Sequence, residues 1–311
     1  MRKVVIGSRG SQLALWQSEH VRDWLTARHP GCEFPIEIIH TMGDKILDVP
    51  LAKIGDKGLF TKEIENALLD RRIDLAVHSL KDLPTKLEAG LAIGAVSVRE
   101  DVRDAWVSRR GVALADLSEG ATIATSSLRR RSQLWARRPD LRIVDMRGNL
   151  NTRMRKLDES DEIDGLVLAA AGLVRLGWES RITHRIDFDT ILPAVGQGAL
   201  AVEIRADDAD TAALLADFAH ADTHTAVRAE RAFLRHLEGG CQIPIGAHAT
   251  VSGGRVRLDG LVGSLDGKRI LRDAAEGDAN DPEAVGIALA KTLLAAGADV
   301  ILAEITAAAR S

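Results

Sequence analysis

Cysteine is nearly missing from this chain: there are two in 311 residues, Cys32 and Cys241. Two so widely separated, with no secretory signal, argue against a disulfide framework. Val4-Val5-Ile6 runs at once into Gly7-Ser8-Arg9, so no signal-peptide core is present. No apolar run reaches the ~18 residues that a bilayer span needs, and a soluble cytoplasmic protein without a membrane partner is expected. Aromatics are only 3% and do not interleave with the basic residues, while the net charge is −4; both argue against nucleic acid as partner. A Walker loop and a G-x-G-x-x-G turn are also missing, which disfavours a nucleotide. His220 and His224 have helical spacing but no third ligand nearby, so no metal is expected. Nothing suggests an oligomer, and a monomer is expected.

What is present is an ordinary globular composition, 46% hydrophobic and 28% charged, long enough for two or three domains. The basic charge is local. Between Leu128 and Arg155 lie nine arginines against only Asp140 and Asp145, a net +7 in a chain that is acidic overall. Guanidinium forks bind carboxylates and phosphates in two-point fashion, so an anionic ligand is indicated.

Three blocks can be read. Residues 1–98 show a strand (3–6), a helix (11–28), a strand (34–40), a helix (60–71) and a strand (74–78), the alternation of a mostly parallel, covered sheet. The glycine-ended segment 43–58 reads as a lysine-bearing lid or as a plain surface insertion. Residues 102–192 repeat the alternation, and a Pro/Gly-rich stretch at 193–198 returns the chain to complete the first block over about 198–217. Crossovers near 99–103 and 193–198 would set a cleft between two α/β domains. Residues 220–311 differ: a helix, three alternating strands and a final helix form a small α+β domain with an antiparallel sheet.

The chemistry-bearing residues gather at strand-to-helix turns. Thr125-Ser126-Ser127 caps a helix whose first turn carries Arg129 and Arg130, a suitable anion site. Arg147-Gly148-Asn149 marks the next such turn, with Arg153 one turn on. Arg9 and Ser11 occupy the turn after the first strand, and Ser79-Leu80-Lys81-Asp82 the turn after a later one. Such turns at strand carboxyl ends are where α/β folds bind ligands. Asp82 is a carboxylate among cations: a candidate acid, base or cation stabiliser, or an ion-pair partner for a lysine. Cys241, in Gly239-Gly240-Cys241-Gln242-Ile243-Pro244, sits on a bare, sharply turned loop. It is either a presented nucleophile or attachment point, or a small core filler.

These residues, in this order, resemble the porphobilinogen deaminase family. The shared motifs are Ser11-Gln12-Leu13-Ala14-Leu15-Trp16, Lys57-Gly58-Leu59-Phe60, Ala76 to Pro84, Thr125 to Arg130, Arg147-Gly148-Asn149, Ala194 to Gly198 and the Cys241 loop. The resemblance implies two periplasmic-binding-protein-like α/β domains flanking a cleft, plus the C-terminal domain. It implies a transferase that joins four porphobilinogens head to tail into a linear tetrapyrrole, releasing ammonia. Cys241 would hold a dipyrromethane cofactor by a thioether, and Asp82 would be the catalytic acid. Ser79, Lys81, Asp82, Thr125, Ser126, Ser127, Arg129, Arg130, Arg147, Gly148, Ala169, Gln197 and Gly198 would hold the cofactor. Arg9, Ser11, Arg147, Arg153 and Arg175 would hold substrate. Met42 and Ala124 depart from relatives that carry arginine and glycine there. Of the competing classes, a solute-binding protein would need neither Asp82 in the cleft nor a presented thiol and would normally carry an export signal, and a regulatory effector domain would need an output module such as a helix-turn-helix.

Overall fold

The computed structural model describes residues 2–45, 61–237 and 243–310. Nearly all of the segment 43–58, the motif at 57–60 and Cys241 therefore lie outside the described residues.

The first stretch of chain forms β1 (Arg2–Lys3) and β2 (Ile6–Ser8), paired in parallel with β3 (Cys32–Glu33) and β4 (Ile36–Ile38). The sequence predicted two continuous strands here. Pro35 lies between β3 and β4, and it has no N–H to give to the ladder. Between them runs α1 (Gln12–Arg28), capped by the Ser11 hydroxyl, which accepts from the Ala14 N–H at 3.3 Å. Then come α2 (Met42–Lys45), α3 (Lys62–Leu69), β5 (Leu75–Ser79) and β6 (Leu91–Val96).

A second sheet takes β7 (Asp104–Ser108), β8 (Thr122–Ala124), β9 (Arg142–Val144), β10 (Gly165–Ala169) and β11 (His184–Arg185) in the order β11-β7-β10-β8-β9. Its helices are α4 (Leu128–Arg137), α5 (Leu150–Glu159) and α6 (Ala170–Arg175). The chain then returns as β12 (Leu200–Arg205), giving the first sheet the order β4-β2-β5-β12-β6.

Both sheets are mixed rather than mostly parallel. β12 runs antiparallel to β5 and β6, and β7 antiparallel to β10 and β11. In each sheet the strand next to a crossover lies against the direction of its neighbours. β7 escaped the sequence reading because Asp104 to Val107 are buried on both faces, so no alternation betrays them.

After α7 (Ala209–Leu214) and α8 (Ala221–His236), β13 (Ile245–Ser252), β14 (Arg255–Gly263) and β15 (Ile270–Asp278) make an antiparallel meander. Together with α9 (Pro282–Leu293), they enclose a core of Phe233, Leu258 and Leu289. The last helix, α10 (Asp299–Arg310), lies beyond the final helix that the sequence predicts, which ends near Ala296. It is set off by a π-helical turn in which Gly297 has φ +103°, a left-handed conformation that suits glycine. One reading is corrected here: the helical segment Pro282–Ala308 is long and apolar enough by composition to cross a membrane. Its buried residues, among them Val285, Leu293, Ile301 and Ile305, pack into the third core instead.

Glu230 on α8 ties the third sheet to the two crossovers. Fully buried, it accepts from Arg99 at 2.6 and 3.0 Å, from the Gly196 N–H at 2.7 Å and from the Ala249 N–H at 2.8 Å. Each carboxylate oxygen thus has two donors, which offsets the cost of burying the charge. Glu230→Leu should cost about 3–5 kcal/mol, because it strands the Arg99 guanidinium. Breaking the exposed Arg257–Glu276 pair should leave stability almost unchanged. Denaturant unfolding of the two variants checks this; equal losses would deny Glu230 its role.

Candidate active site

A cavity of about 410 Å³ opens between the first two sheets. It lies at the carboxyl ends of β2, β5 and β10, where Ser8, Ser79 and Ala169 close their strands. Among the described residues its walls carry six cations, Arg9, Lys81, Arg130, Arg147, Arg153 and Arg175, against a single carboxylate, Asp82. Ser11, Ser79, Gly148, Ala169 and Gly198 line it too. Twelve of the residues singled out from the sequence are thereby brought to one space.

Asp82 closes a short 3-10 turn, Leu80–Asp82, directly after β5. The turn is held from behind by Arg231 of α8, which donates to the carbonyls of Leu83 (3.4 Å) and Pro84 (2.7 Å). Lys81 stands beside it. The cleft mouth leaves part of this side chain accessible, yet protein surrounds its ammonium, and that desolvation pulls it down to about 8. The Lys81 ammonium donates to Gln197 Oε1 at 3.4 Å.

Beneath these groups lies Asp104, a residue the sequence reading missed. It is fully buried and receives Arg129 at 2.7 Å, Arg130 at 2.7 and 3.1 Å, and Gln197 Nε2 at 3.0 Å. Burial alone would raise its pKa, but the two guanidiniums overcome this and hold it far below the usual carboxylate range. An aspartate opening a strand looks like an ordinary turn residue. The one hint was arithmetic: buried arginines in such number need a buried acid.

This arrangement divides the predicted residues. Arg130 both grips Asp104 and reaches the cavity, whereas Arg129 is spent on Asp104 and the Leu192 carbonyl (2.7 Å) and does not line it. Gln197, fully buried, also stays behind the wall, donating to the Val102 carbonyl at 2.8 Å. The three hydroxyls of Thr125-Ser126-Ser127 are occupied within the protein. Thr125 accepts from the Ser127 N–H, Ser127 caps α4 by accepting from the Arg130 N–H, and Ser126 bonds both polar groups of the Met146 backbone. Their part is to shape two neighbouring turns.

Among the described residues, Arg147, Arg153 and Arg175 form no ion pair. Arg153 donates to the Gly148 carbonyl at 2.9 Å and Arg175 to the Gly198 carbonyl at 2.6 Å; burial lowers the pKa of both. Gly198 has φ +91°, and a Cβ there would meet the Glu100 carbonyl at 2.5 Å, so only glycine fits. Nη1 of Arg147 is buried with no hydrogen-bond partner at all. Such groups are costly unless something anionic completes them. A polycarboxylate fits that description. Cys241 lies outside the described residues; Leu237 and Ile243, on either side, pack against the third core.

Asp104 makes a prediction in its own right. A carboxylate whose folded pKa is depressed contributes stability above its unfolded value, ~4, and loses it as pH falls through the folded value. Asp104→Asn should thus be less stable than wild type at pH 7 by about 3–5 kcal/mol, with the gap narrowing in strong acid. A gap independent of pH would remove the charge from this account.

The chain is similar to known proteins along its whole length. Residues 4–213 match the family model described as porphobilinogen deaminase, dipyromethane cofactor binding domain, and residues 224–295 match that of its C-terminal domain. The porphobilinogen deaminase of Carboxydothermus hydrogenoformans is 55% identical over 98% of this chain and 97% of its own length. That of Desulforudis audaxviator is 56% identical over 99% of both, and that of Gloeobacter violaceus 54% identical over 100% of this chain and 96% of its own. A solved structure, the periplasmic VFT2 domain of Bordetella pertussis BvgS, is 18% identical over 69% of this chain and 84% of its own, with a TM-score of 0.40. Family models over both parts and relatives more than half identical along the whole length leave one assignment: the chain belongs to the porphobilinogen deaminase family.

Proposed function

We propose that this protein joins four porphobilinogens head to tail into a linear tetrapyrrole with release of ammonia. The observation that carries this is the cavity wall, six cations around one carboxylate. Each porphobilinogen brings an acetate and a propionate, so a growing chain is a polycarboxylate that needs such a wall. A dipyrromethane fits the same wall, since the buried, unpartnered Nη1 of Arg147 calls for an anion. Lys81, Arg130 and Arg147 would hold its acid side chains, and Cys241 would anchor it by a thioether. When bound, it supplies the pyrrole carbon at which growth begins.

The chain's own residues then divide the work. Arg9, Arg153 and Arg175 orient the carboxylates of the incoming pyrrole, with Ser11 at the cap of α1 beside them. Asp82, the sole acid on the described wall, offsets positive charge near the reacting carbon and secures the proton on the departing amine. Asp104, Arg129, Gln197 and the Thr125–Ser127 hydroxyls hold these groups in place from behind. Arg231 keeps the Asp82 turn from drifting. Residues 1–98 with about 198–217, 102–192 and 220–311 would be the three domains that make the cleft. The cytoplasm is the expected setting, with the protein working as a monomer and without membrane or nucleic acid.

Two measurements test this. Purified protein should consume four porphobilinogens and release four ammonia molecules per tetrapyrrole formed; Asp82→Asn should still bind substrate and lose at least about 100-fold in kcat. Near-normal kcat would remove Asp82 from the chemistry. Lys81 adds a pH signature. Its charge, lowered to about 8 by burial, is lost as pH rises through that value, so kcat/KM should fall there. In Lys81→Met that inflection should vanish along with part of the affinity.

A further inference from the structure

The cavity has a side branch of opposite character. A recess of about 70 Å³ shares Arg9, Ser79 and Asp82 with the main cavity and ends on Gln17, Thr61 and His78. That is room for about one or two water-sized groups, too small for a substituted pyrrole. Behind it the chain collects buried acids. Nε2 of His78 lies 3.1 Å from Oε2 of Glu203, both side chains being buried. Glu65 on α3 completes the layer, its pKa pushed up by burial and further by the charge of Glu203. His78 faces α3 because β5 alternates: Val77 packs into the core under α1, while Ala76 packs with Ile64 and Leu68.

Hydrogen-bonding capacity is left over at this point. Oγ1 of Thr61, Oε1 of Glu65 and Oε1 of Glu203 are all buried with no hydrogen-bond partner. Thr61 is 2% exposed and lines the recess. Its hydroxyl leans toward the Glu65 carboxyl and offsets part of the effect of burial there, without reaching full hydrogen-bond geometry. Of the three residues only Thr61 lines the recess; its spare hydroxyl, with buried carboxyl groups behind it, calls for a small hydrogen-bond donor carrying positive charge.

The proposed substrate carries such a group. Its aminomethyl side chain is protonated near neutral pH, and six wall cations would repel it throughout the main cavity. Arg9 lines both spaces, so the branch is less cationic rather than acidic throughout. We propose that the recess is an ammonium subsite, which takes the aminomethyl group of the incoming pyrrole between Thr61 and Asp82, with the Glu203 carboxylate, held by His78, supplying negative field behind. When the carbon–nitrogen bond breaks, its electron pair stays with nitrogen, and ammonia is released into the recess. The inference rests on the substrate class given above.

The test compares porphobilinogen with an analogue bearing an uncharged hydroxymethyl group in place of the aminomethyl. KM is measured for the first, and the inhibition constant against turnover for the second, in wild type, Thr61→Val and Glu203→Gln. Thr61→Val should raise KM for porphobilinogen about tenfold, the loss of a charge-assisted hydrogen bond; Glu203→Gln should raise it in the same direction by removing the charge behind; and both should leave the analogue's constant within about twofold. Equal shifts for both compounds, or no shift in either, would overturn the subsite. Should Glu203→Gln fail to fold, Thr61→Val decides alone. If wild type consumes no porphobilinogen, it is the reading of the substrate that has failed.

Discussion

Everything in this site depends on one buried carboxylate. Asp104 sits at the start of β7, where it draws Arg129, Arg130 and Gln197 onto a single point. Gln197 belongs to the return crossover and accepts from Lys81, so the same acid links the floor of the second sheet to the turn that carries Asp82. Two guanidiniums and an amide repay the desolvation that an isolated ion could not survive. Without that anchor the wall would be a set of mutually repelling cations with no fixed geometry.

The cleft that results is electrostatically lopsided, and this has two uses. Arg147, Arg153 and Arg175, which form no ion pair among the described residues, are held by backbone carbonyls or left unsatisfied, so a carboxylate ligand completes them rather than competing with an internal ion pair. The same excess of positive charge steers a polycarboxylate in from solution. It is hostile to an amine, however. The buried Glu203–His78 pair, with Glu65 near it, lies to one side of Asp82, giving the site a direction as well as a charge.

Most of the fold was legible because its periodic segments are long and their caps explicit. Leu128–Arg137 follows the cap Ser127, and Pro282 opens the final helical run after Asp281, as the sequence indicates. What escaped was decided by partners far along the chain. β7 gives no alternation because both its faces are covered, and the antiparallel placement of β12 follows from the crossover rather than from its own residues. The site shows the same division. Arg130, Arg147 and Arg153 could be read from their turns, since a guanidinium at a strand end faces a ligand by default. Asp104 and Glu230 could not, since a carboxylate's role here is set by donors up to 131 positions away. Arg129 looked like its neighbour Arg130 and proved to serve it, a distinction that only three-dimensional packing makes.

The most direct test of the account is the intact mass of the protein purified from cells that make porphobilinogen, measured beside Cys241→Ser. The account predicts a mass excess of two linked pyrrole units in the wild type and none in the variant. An unmodified wild-type mass in folded protein would contradict it, leaving a carboxylate-binding cleft without the primer on which its chemistry depends.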